Sequence, residues 1–252
     1  MVFARVSLTI LHTSLYSAWE GTMSKGDYGI LQNRRRAAEL SGGISSDPIY
    51  SAIQRVIADR DLRGKILDYG AGVGQFVRRL LSLQRFEQIA AADILPVPAD
   101  LVGKVEWIAQ DLNLPILNHD EIFDAVIAAE VVEHLENPRA MMRDLFRVLR
   151  PGGTAIISTP NNESWRAIFS LLIRGHYVAF GDTSYPAHIV ALLRKDFDRI
   201  FQEAQFHAPE FQYTDEGGLP GKPDVTWQAV TFGLLRGLRF SDNIIAVATK
   251  PR

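Results

Sequence analysis

From Lys65 to the C-terminus, short apolar runs alternate with stretches whose apolar residues recur at helical spacing, the pattern of an α/β sheet. Lys65–Tyr69 reads as a strand running into glycines, and Phe76, Val77, Leu80 and Leu81 follow at helical intervals. Gln88–Asp93 is a second strand ending in an acid. Val105–Ile108 is a third, followed by Asp111, and Phe123–Ala129 is a fourth, flanked by Asp124 and Glu130. Asn137 and Pro138 then form a helix start, an N-cap followed by a proline at the first helical position. The apolar face of this helix is Met141, Leu145, Val148 and Leu149, and Pro151-Gly152-Gly153 is the expected stop. Thr154–Ser158 is a fifth strand, and Glu210–Tyr213 and Ile244–Thr249 are two more. Between these last two, Trp227–Leu238 predicts a helix with Val230, Leu234 and Leu238 on one face.

Two stretches stand outside this alternation. Residues 24–62 carry a helical period (Ile49, Ile53, Val56, Ile57) and predict a cap over the sheet edge or a cofactor mouth. Residues 160–190 hold a short apolar helix and an aromatic- and His-rich loop, long enough for a functional lid. The predicted organisation is an extension over 1–22, a helical cap over 23–62, and a main domain over 63–252 that contains the lid.

Composition narrows the class. The 252 residues are 47% hydrophobic and 22% charged, with a net charge of −2, which disfavours nucleic acid as a partner. Arg34-Arg35-Arg36 reads as a solvated helix face rather than an RNA patch. With no cysteine, disulfides, thiolate metal sites and a cysteine nucleophile are excluded. The apolar run Ile168–Ile173 is too short to span a bilayer, so no integral membrane segment is expected and the expected location is cytoplasmic. Val6–Trp19 follows Arg5 in the manner of a signal peptide, but His12, Thr13, Ser14 and Ser17 dilute it; a start at Met23 is the other reading. For Trp227, Phe232 and Leu235, ordinary core packing is preferred to a homodimer face or a peripheral membrane contact.

The chemistry centres on Asp68-Tyr69-Gly70-Ala71-Gly72-Val73-Gly74. A strand, glycine turn and helix bring backbone N–H groups and a helix N-terminus close to a ligand. A dinucleotide fingerprint starting at Gly70 would need a third glycine at position 75, where Gln75 stands. Asp68 before the turn would repel a pyrophosphate but suits a cationic amino group and a sulfonium, as in S-adenosylmethionine. Asp93, 25 residues on, can accept from both ribose hydroxyls, and Asp111 from the adenine amino group.

With Glu130-Val131-Val132-Glu133-His134-Leu135 and Leu149-Arg150-Pro151-Gly152-Gly153, these motifs resemble, in order and spacing, those of class I S-adenosylmethionine-dependent methyltransferases. The resemblance is good over Lys65–Asn161 and looser to Lys250. It implies a Rossmann-like, doubly wound seven-stranded sheet, mostly parallel, with Ile244–Thr249 as an antiparallel last strand. It also implies cofactor contacts from Asp68, Gly70, Ala71, Gly72, Gly74, Asp93, Ile94, Asp111, Leu112 and Glu130.

Glu130, Glu133 and His134 fall at i, i+3 and i+4 and converge if the chain turns helically there. Such a set suits Mg²⁺ or Mn²⁺ better than Zn²⁺, and His188 in Tyr185-Pro186-Ala187-His188 is a candidate fourth ligand. The Glu-x-x-Glu-His arrangement, followed by Ser158-Thr159-Pro160-Asn161 and a later His, is similar to that of two metal-using branches, the ubiquinone-pathway O-methyltransferases and the small-RNA 2′-O-methyltransferases. In metal-free relatives the acid lines the cofactor pocket and the His caps the next helix, and that alternative stands beside the metal.

Methyl transfer from a sulfonium is an in-line displacement, so positioning and water exclusion carry much of it. Without a metal, His134 or His188 is the expected base, with His176 and Tyr177 as alternatives. Trp165, Phe169, Tyr177, Phe180 and Tyr185 suggest an apolar or ring-containing acceptor, although Trp165 and Phe169 equally fit docking of the lid helix onto the sheet. The leading expectation is O-methylation of a small-molecule or glycan-like acceptor. The alternatives are RNA 2′-O-methylation and a non-catalytic S-adenosylmethionine-binding partner subunit.

Overall fold

The computed structural model describes residues 25–252, so the expectations for residues 1–22 and for a start at Met23 lie outside the described residues. Among the described residues nine strands form: β1 (Gly64–Tyr69), β2 (Phe86–Asp93), β3 (Glu106–Ala109), β4 (Phe123–Ala129), β5 (Leu149–Pro160), β6 (Glu210–Tyr213), β7 (Gly218–Leu219), β8 (Lys222–Thr226) and β9 (Asn243–Thr249). Seven of them make one sheet in the order β3-β2-β1-β4-β5-β9-β6. β9 runs antiparallel to both β5 and β6, and the other pairings are parallel. The central strands are near-continuous apolar runs, such as Ala125–Ala128 at zero exposure, because helices cover both faces of the sheet. The expected doubly wound, mostly parallel sheet with an antiparallel last strand is what the chain forms.

The helices are α1 (Lys25–Ser41), α2 (Asp47–Asp59), α3 (Gln75–Leu83), α4 (Pro138–Val148), α5 (Trp165–Arg174), α6 (Arg194–Glu203) and the single turn α7 (Trp227–Val230). Ile49, Ile53, Val56 and Ile57 of α2 are all buried, in one core cluster with Ile66, Phe76 and Leu80 on one side of the sheet. On the other side, Met141, Leu145 and Val148 of α4 pack with Phe197 and Phe201 of α6. Asn137 caps α4 as predicted, its side chain accepting from the Ala140 N–H.

Four expectations are corrected. Leu149 belongs to β5, not to the face of α4: it pairs with Phe123, and the register then shifts so that Ala125 faces Thr154, with Gly152 at φ 82° taking up the extra residues. The helix predicted over Trp227–Leu238 stops after one turn, because Phe232, Gly233 and Gly237 all take positive φ, and a short 3₁₀ turn follows at Leu238–Phe240. Core packing fails for Phe232, which is 96% exposed, although Trp227 does pack edge-on against Phe240. On α5 it is Ala167 and Ser170 that face inward. Trp165 and Phe169 stay partly exposed, so neither anchors the helix to the sheet, and Leu172 and Ile173 are at 75% and 80% exposure.

Candidate active site

The glycine turn is held in place by the neighbouring strand: Gly70 N and Ala71 N both donate to the Ala92 carbonyl, at 2.8 and 3.1 Å. Gly72 has φ 54°, and a Cβ there would collide with the carbonyl oxygen of Gly43, in the loop between α1 and α2. That loop lies over the turn, with Val73 N donating to Gly43 O. A cleft of about 570 Å³ opens between the turn, the strand ends and α1. Every residue expected to touch the cofactor lines it except Gly74, which sits behind as the N-cap of α3.

Asp68 is buried, and its Oδ2 has no hydrogen-bond partner. Burial, and then the charge of Asp93, push its carboxyl up to about 7. A buried carboxylate without a donor fits a ligand that brings a cation to it. Asp93 is held by backbone: Oδ2 accepts from Gly72 N at 2.7 Å and Oδ1 from Leu95 N at 2.8 Å. Burial nonetheless raises its pKa against those bonds. Asp111 accepts from Asn113 N and Nδ2 through Oδ1, while its Oδ2 pairs with Arg34 Nη1 at 2.5 Å. Arg34 also makes a two-point pair with Glu136, at 2.9 and 2.7 Å. The solvated-face reading of Arg34 is therefore corrected: it bridges α1 to the edge of the cleft, with its side chain 24% exposed.

Past β4 the chain turns sharply. Glu130 is left-handed at φ 55°, a strained conformation of the kind that clusters at functional sites. Its Oε1 accepts from Ser158 Oγ at 2.8 Å and its Oε2 from Asn243 Nδ2 at 2.9 Å. Burial pushes its carboxyl up to about 7 against those two bonds. Glu133, His134 and His188 come together instead, each offering a ligand atom within 4.8 Å of the others, and Glu130 is not in this group. Glu133 is fully buried; Oε2 accepts from Thr159 Oγ1 and Oε1 has no partner. Its pKa is raised well above the ordinary value by burial and then by the charge of Glu130. His134 Nδ1 lies 2.8 Å from the Ala187 carbonyl, so Nδ1 carries the proton and Nε2 the lone pair. Burial, then the nearby His188, lower His134 to about 4.

His188 reaches the cluster because its segment is tied down. Ile189 N and Val190 N both donate to the Glu133 carbonyl, at 2.9 and 3.1 Å, and the Tyr185–Pro186 bond just before it is cis. Its Nδ1 is buried without a partner, its pKa is lowered by burial, and its ring lies 4.7 Å from that of His134 and 5.6 Å from Phe180. The two other candidates on the segment lie elsewhere: His176 Nδ1 meets the Tyr177 carbonyl, and neither residue lines the cleft. The sequence reading gives Ser158 and Thr159 no role of their own, places Arg34 on a solvated face and does not name Asn243. The first two lie within β5, while Asn243 and Arg34 carry no local signal.

Comparison with known proteins identifies the family and the fold. A family model described as a methyltransferase domain matches residues 34–208. A ubiquinone biosynthesis O-methyltransferase of Xanthomonas oryzae pv. oryzae is 32% identical over 158 residues, covering 55% of this chain and 64% of the relative. One from Rickettsia prowazekii is 28% identical, over 59% of this chain and 57% of the relative. The chain thus spans about three-fifths of the length of these relatives. Among solved structures, a SAM-dependent methyltransferase from Archaeoglobus fulgidus superposes with a TM-score of 0.57 at 17% identity, covering 84% of this chain and 97% of that one. The 1,6-didemethyltoxoflavin-N1-methyltransferase of Burkholderia thailandensis, solved with S-adenosylhomocysteine, reaches 0.60 at 14% identity, with 91% and 92% covered. With the family model spanning most of its length and a fold that superposes on these structures, the chain belongs to the methyltransferase-domain family, with the class I fold of S-adenosylmethionine-dependent methyltransferases.

Proposed function

We propose that the chain is an O-methyltransferase that uses S-adenosylmethionine to methylate a small-molecule or glycan-like hydroxyl. The observation that carries this reading is the unpaired, buried Asp68 Oδ2 facing the cleft beside the glycine turn, with a second cluster beyond Glu130 in which Glu133 Oε1 and His188 Nδ1 are also unpaired. The first fits the cofactor's ammonium; the second is placed to deal with an acceptor hydroxyl. In the transfer, an oxygen lone pair forms the new C–O bond as the S–CH₃ bond breaks. The sulfonium keeps the bonding pair as a neutral thioether, and the hydroxyl proton must leave.

Glu133 Oε1, His134 Nε2 and a His188 ring nitrogen fit Mg²⁺ or Mn²⁺: one ionisable oxygen without a donor and two imidazoles held neutral. A divalent ion bound by them would lower the pKa of the acceptor hydroxyl. Imidazoles with depressed pKa values are weak bases but good ligands, which favours this route. In the metal-free route, the unpaired His188 Nδ1 takes the proton. The insertion over 160–190 acts as a lid in either case, its end tied to His134 and Glu133 through Ala187 and Val190.

Among the described residues no helix is long and apolar enough to cross a membrane, and a cytoplasmic location is part of the proposal. Exposed Val230, Phe232 and Leu234 give it a homodimer face, which sedimentation of a Phe232→Ser variant against the parent would test. The central test is transfer of a labelled methyl group to metabolite, lipid and RNA fractions, with and without chelator. Transfer into the metabolite or glycan fraction is expected. Transfer into RNA alone, or none in any fraction despite cofactor binding, overturns the reading.

A further inference from the structure

Beyond Glu130, His188 and Asn243 lies a second cavity of about 290 Å³, and these three residues line the cofactor cleft as well. They are the wall that the two spaces share. The rest of the second cavity comes from the turn after β5, the start of α5, Asp242 ahead of β9, and Val178 and Ala179 above. Its aromatic content is low: Trp165, Phe169, Tyr177, Phe180 and Tyr185, the side chains that suggested an apolar acceptor, are absent from this lining.

The polar groups here are only partly used. Asn162 is buried and donates through Nδ2 to the Leu192 carbonyl at 3.0 Å, which leaves its Oδ1 without a hydrogen bond among the described residues. Arg166 gives Nη1 to Asp242 Oδ2 at 2.5 Å, and its guanidinium carries further N–H donors. Asp242 Oδ2 also accepts from Gly218 N, which leaves Oδ1 as an acceptor. Ser164 Oγ accepts from Ala167 N and still has its own O–H to give. Asn161, by contrast, is spent on the Leu238 and Ser241 carbonyls and on Glu163 N.

Residues with spare donors and residues with spare acceptors thus both line this small cavity. A ligand hydroxyl does both jobs at once, whereas an apolar ring would strip water from these groups and give nothing back. We propose that the second cavity is the acceptor subsite and that it takes a single polyhydroxylated ring, a sugar or cyclitol, presenting one hydroxyl across the Glu130–His188–Asn243 wall. This rests on the methyl-transfer reading above. The cavity lies near the small end of ligand sites, roughly 300 Å³ upward, which suits one such ring and not an extended apolar chain. Sites built to hydrogen-bond a hydroxyl also discriminate strongly against analogues that lack it.

The test uses the full chain saturated with S-adenosylhomocysteine, whose binding is first measured by calorimetry. Ligand-observed NMR then compares methyl hexosides and myo-inositol with catechol. Saturation transfer to at least one polyol and not to catechol is expected. Asn162→Leu and Arg166→Met should each weaken that polyol by tenfold or more while S-adenosylhomocysteine affinity stays within about twofold. Arg166→Met, at the partly exposed rim, carries the test if Asn162→Leu does not fold. Transfer to catechol alone, or polyol binding that neither variant alters, overturns the acceptor proposal. Failure of S-adenosylhomocysteine itself to bind overturns the methyl-transfer reading on which it stands.

Discussion

Along the ends of β1 to β3 the ligand-facing groups are held by backbone, and along the ends of β4, β5 and β9 they are held by one another. Asp93 is fixed by the N–H groups of Gly72 and Leu95, and the glycine turn by the Ala92 carbonyl. Glu130 is fixed by the side chains of Ser158 and Asn243 and Glu133 by that of Thr159, with His134 the exception, held by the backbone carbonyl of Ala187, 53 residues away. A backbone-held pocket keeps its shape whichever side chains surround it, as a shared cofactor demands. A pocket held by side chains changes when one of them changes, as a private acceptor demands. The two halves should therefore fail separately when mutated.

The largest effect is expected at the acceptor half. His134→Ala removes both a cluster nitrogen and the tie to Ala187, and kcat should fall by about 10²- to 10⁴-fold. Calorimetry should find S-adenosylhomocysteine affinity within about twofold of the parent. An equal loss of affinity would show that the halves are not independent. At the cofactor half, Asp68→Asn keeps the shape and removes the charge. Hydrogen bonds to charged groups contribute roughly 1.5–3 kcal/mol, so cofactor affinity should drop about 10- to 100-fold. An unchanged affinity would remove Asp68 from the site.

The third effect is a pH dependence of cofactor binding. Burial leaves the empty-cleft Asp68 carboxyl near 7, and a bound ammonium favours its ionised form. Protons therefore compete with the cofactor below 7, and affinity should fall by about tenfold between pH 8 and pH 6. The fall should shrink in Asp68→Asn to whatever Glu130, whose carboxyl burial also raises to about 7, contributes. Calorimetry at three pH values decides it, and a slope that survives undiminished in the variant assigns the proton to another group.

The same contrast decides what could be read without a structure. The turn, Asp68, Asp93 and Asp111 are legible because strand, turn and acid lie next to one another in the chain. Glu130 could be named but not placed: its carboxylate goes to Asn243, 113 residues on, and so leaves the cluster that its i, i+3, i+4 spacing implied. The i+3 and i+4 members do converge, because Val132–His134 forms a 3₁₀ turn. The second cavity was illegible, since it is assembled from the end of β5, the start of α5 and the residue before β9. The helix expected over Trp227–Leu238 shows the opposite failure. Its apolar period is real, but Gly233 and Gly237 at φ 78° interrupt it and leave Leu234 exposed.

The smallest effect tests the one place where a distant side chain reaches the backbone-held half. Arg34, on α1, joins Asp111 at the cleft edge to Glu136 after β4, and so ties the cap to both halves. Its neighbours on α1, Ala37, Ala38 and Ser41, also line the cleft, so this helix forms one wall of it. The pairs are partly exposed, and such pairs contribute about 0.2–1 kcal/mol. Arg34→Ala should therefore speed S-adenosylhomocysteine release only about two- to fivefold, with little change in melting temperature. Stopped-flow displacement measures this directly. There is a physical reason the sign could reverse: Arg34 occupies the Asp111 oxygen that an adenine amino group would otherwise use. Slower release in the variant would mean that Arg34 competes with the cofactor rather than closing over it, and that α1 belongs to the removable side of the site.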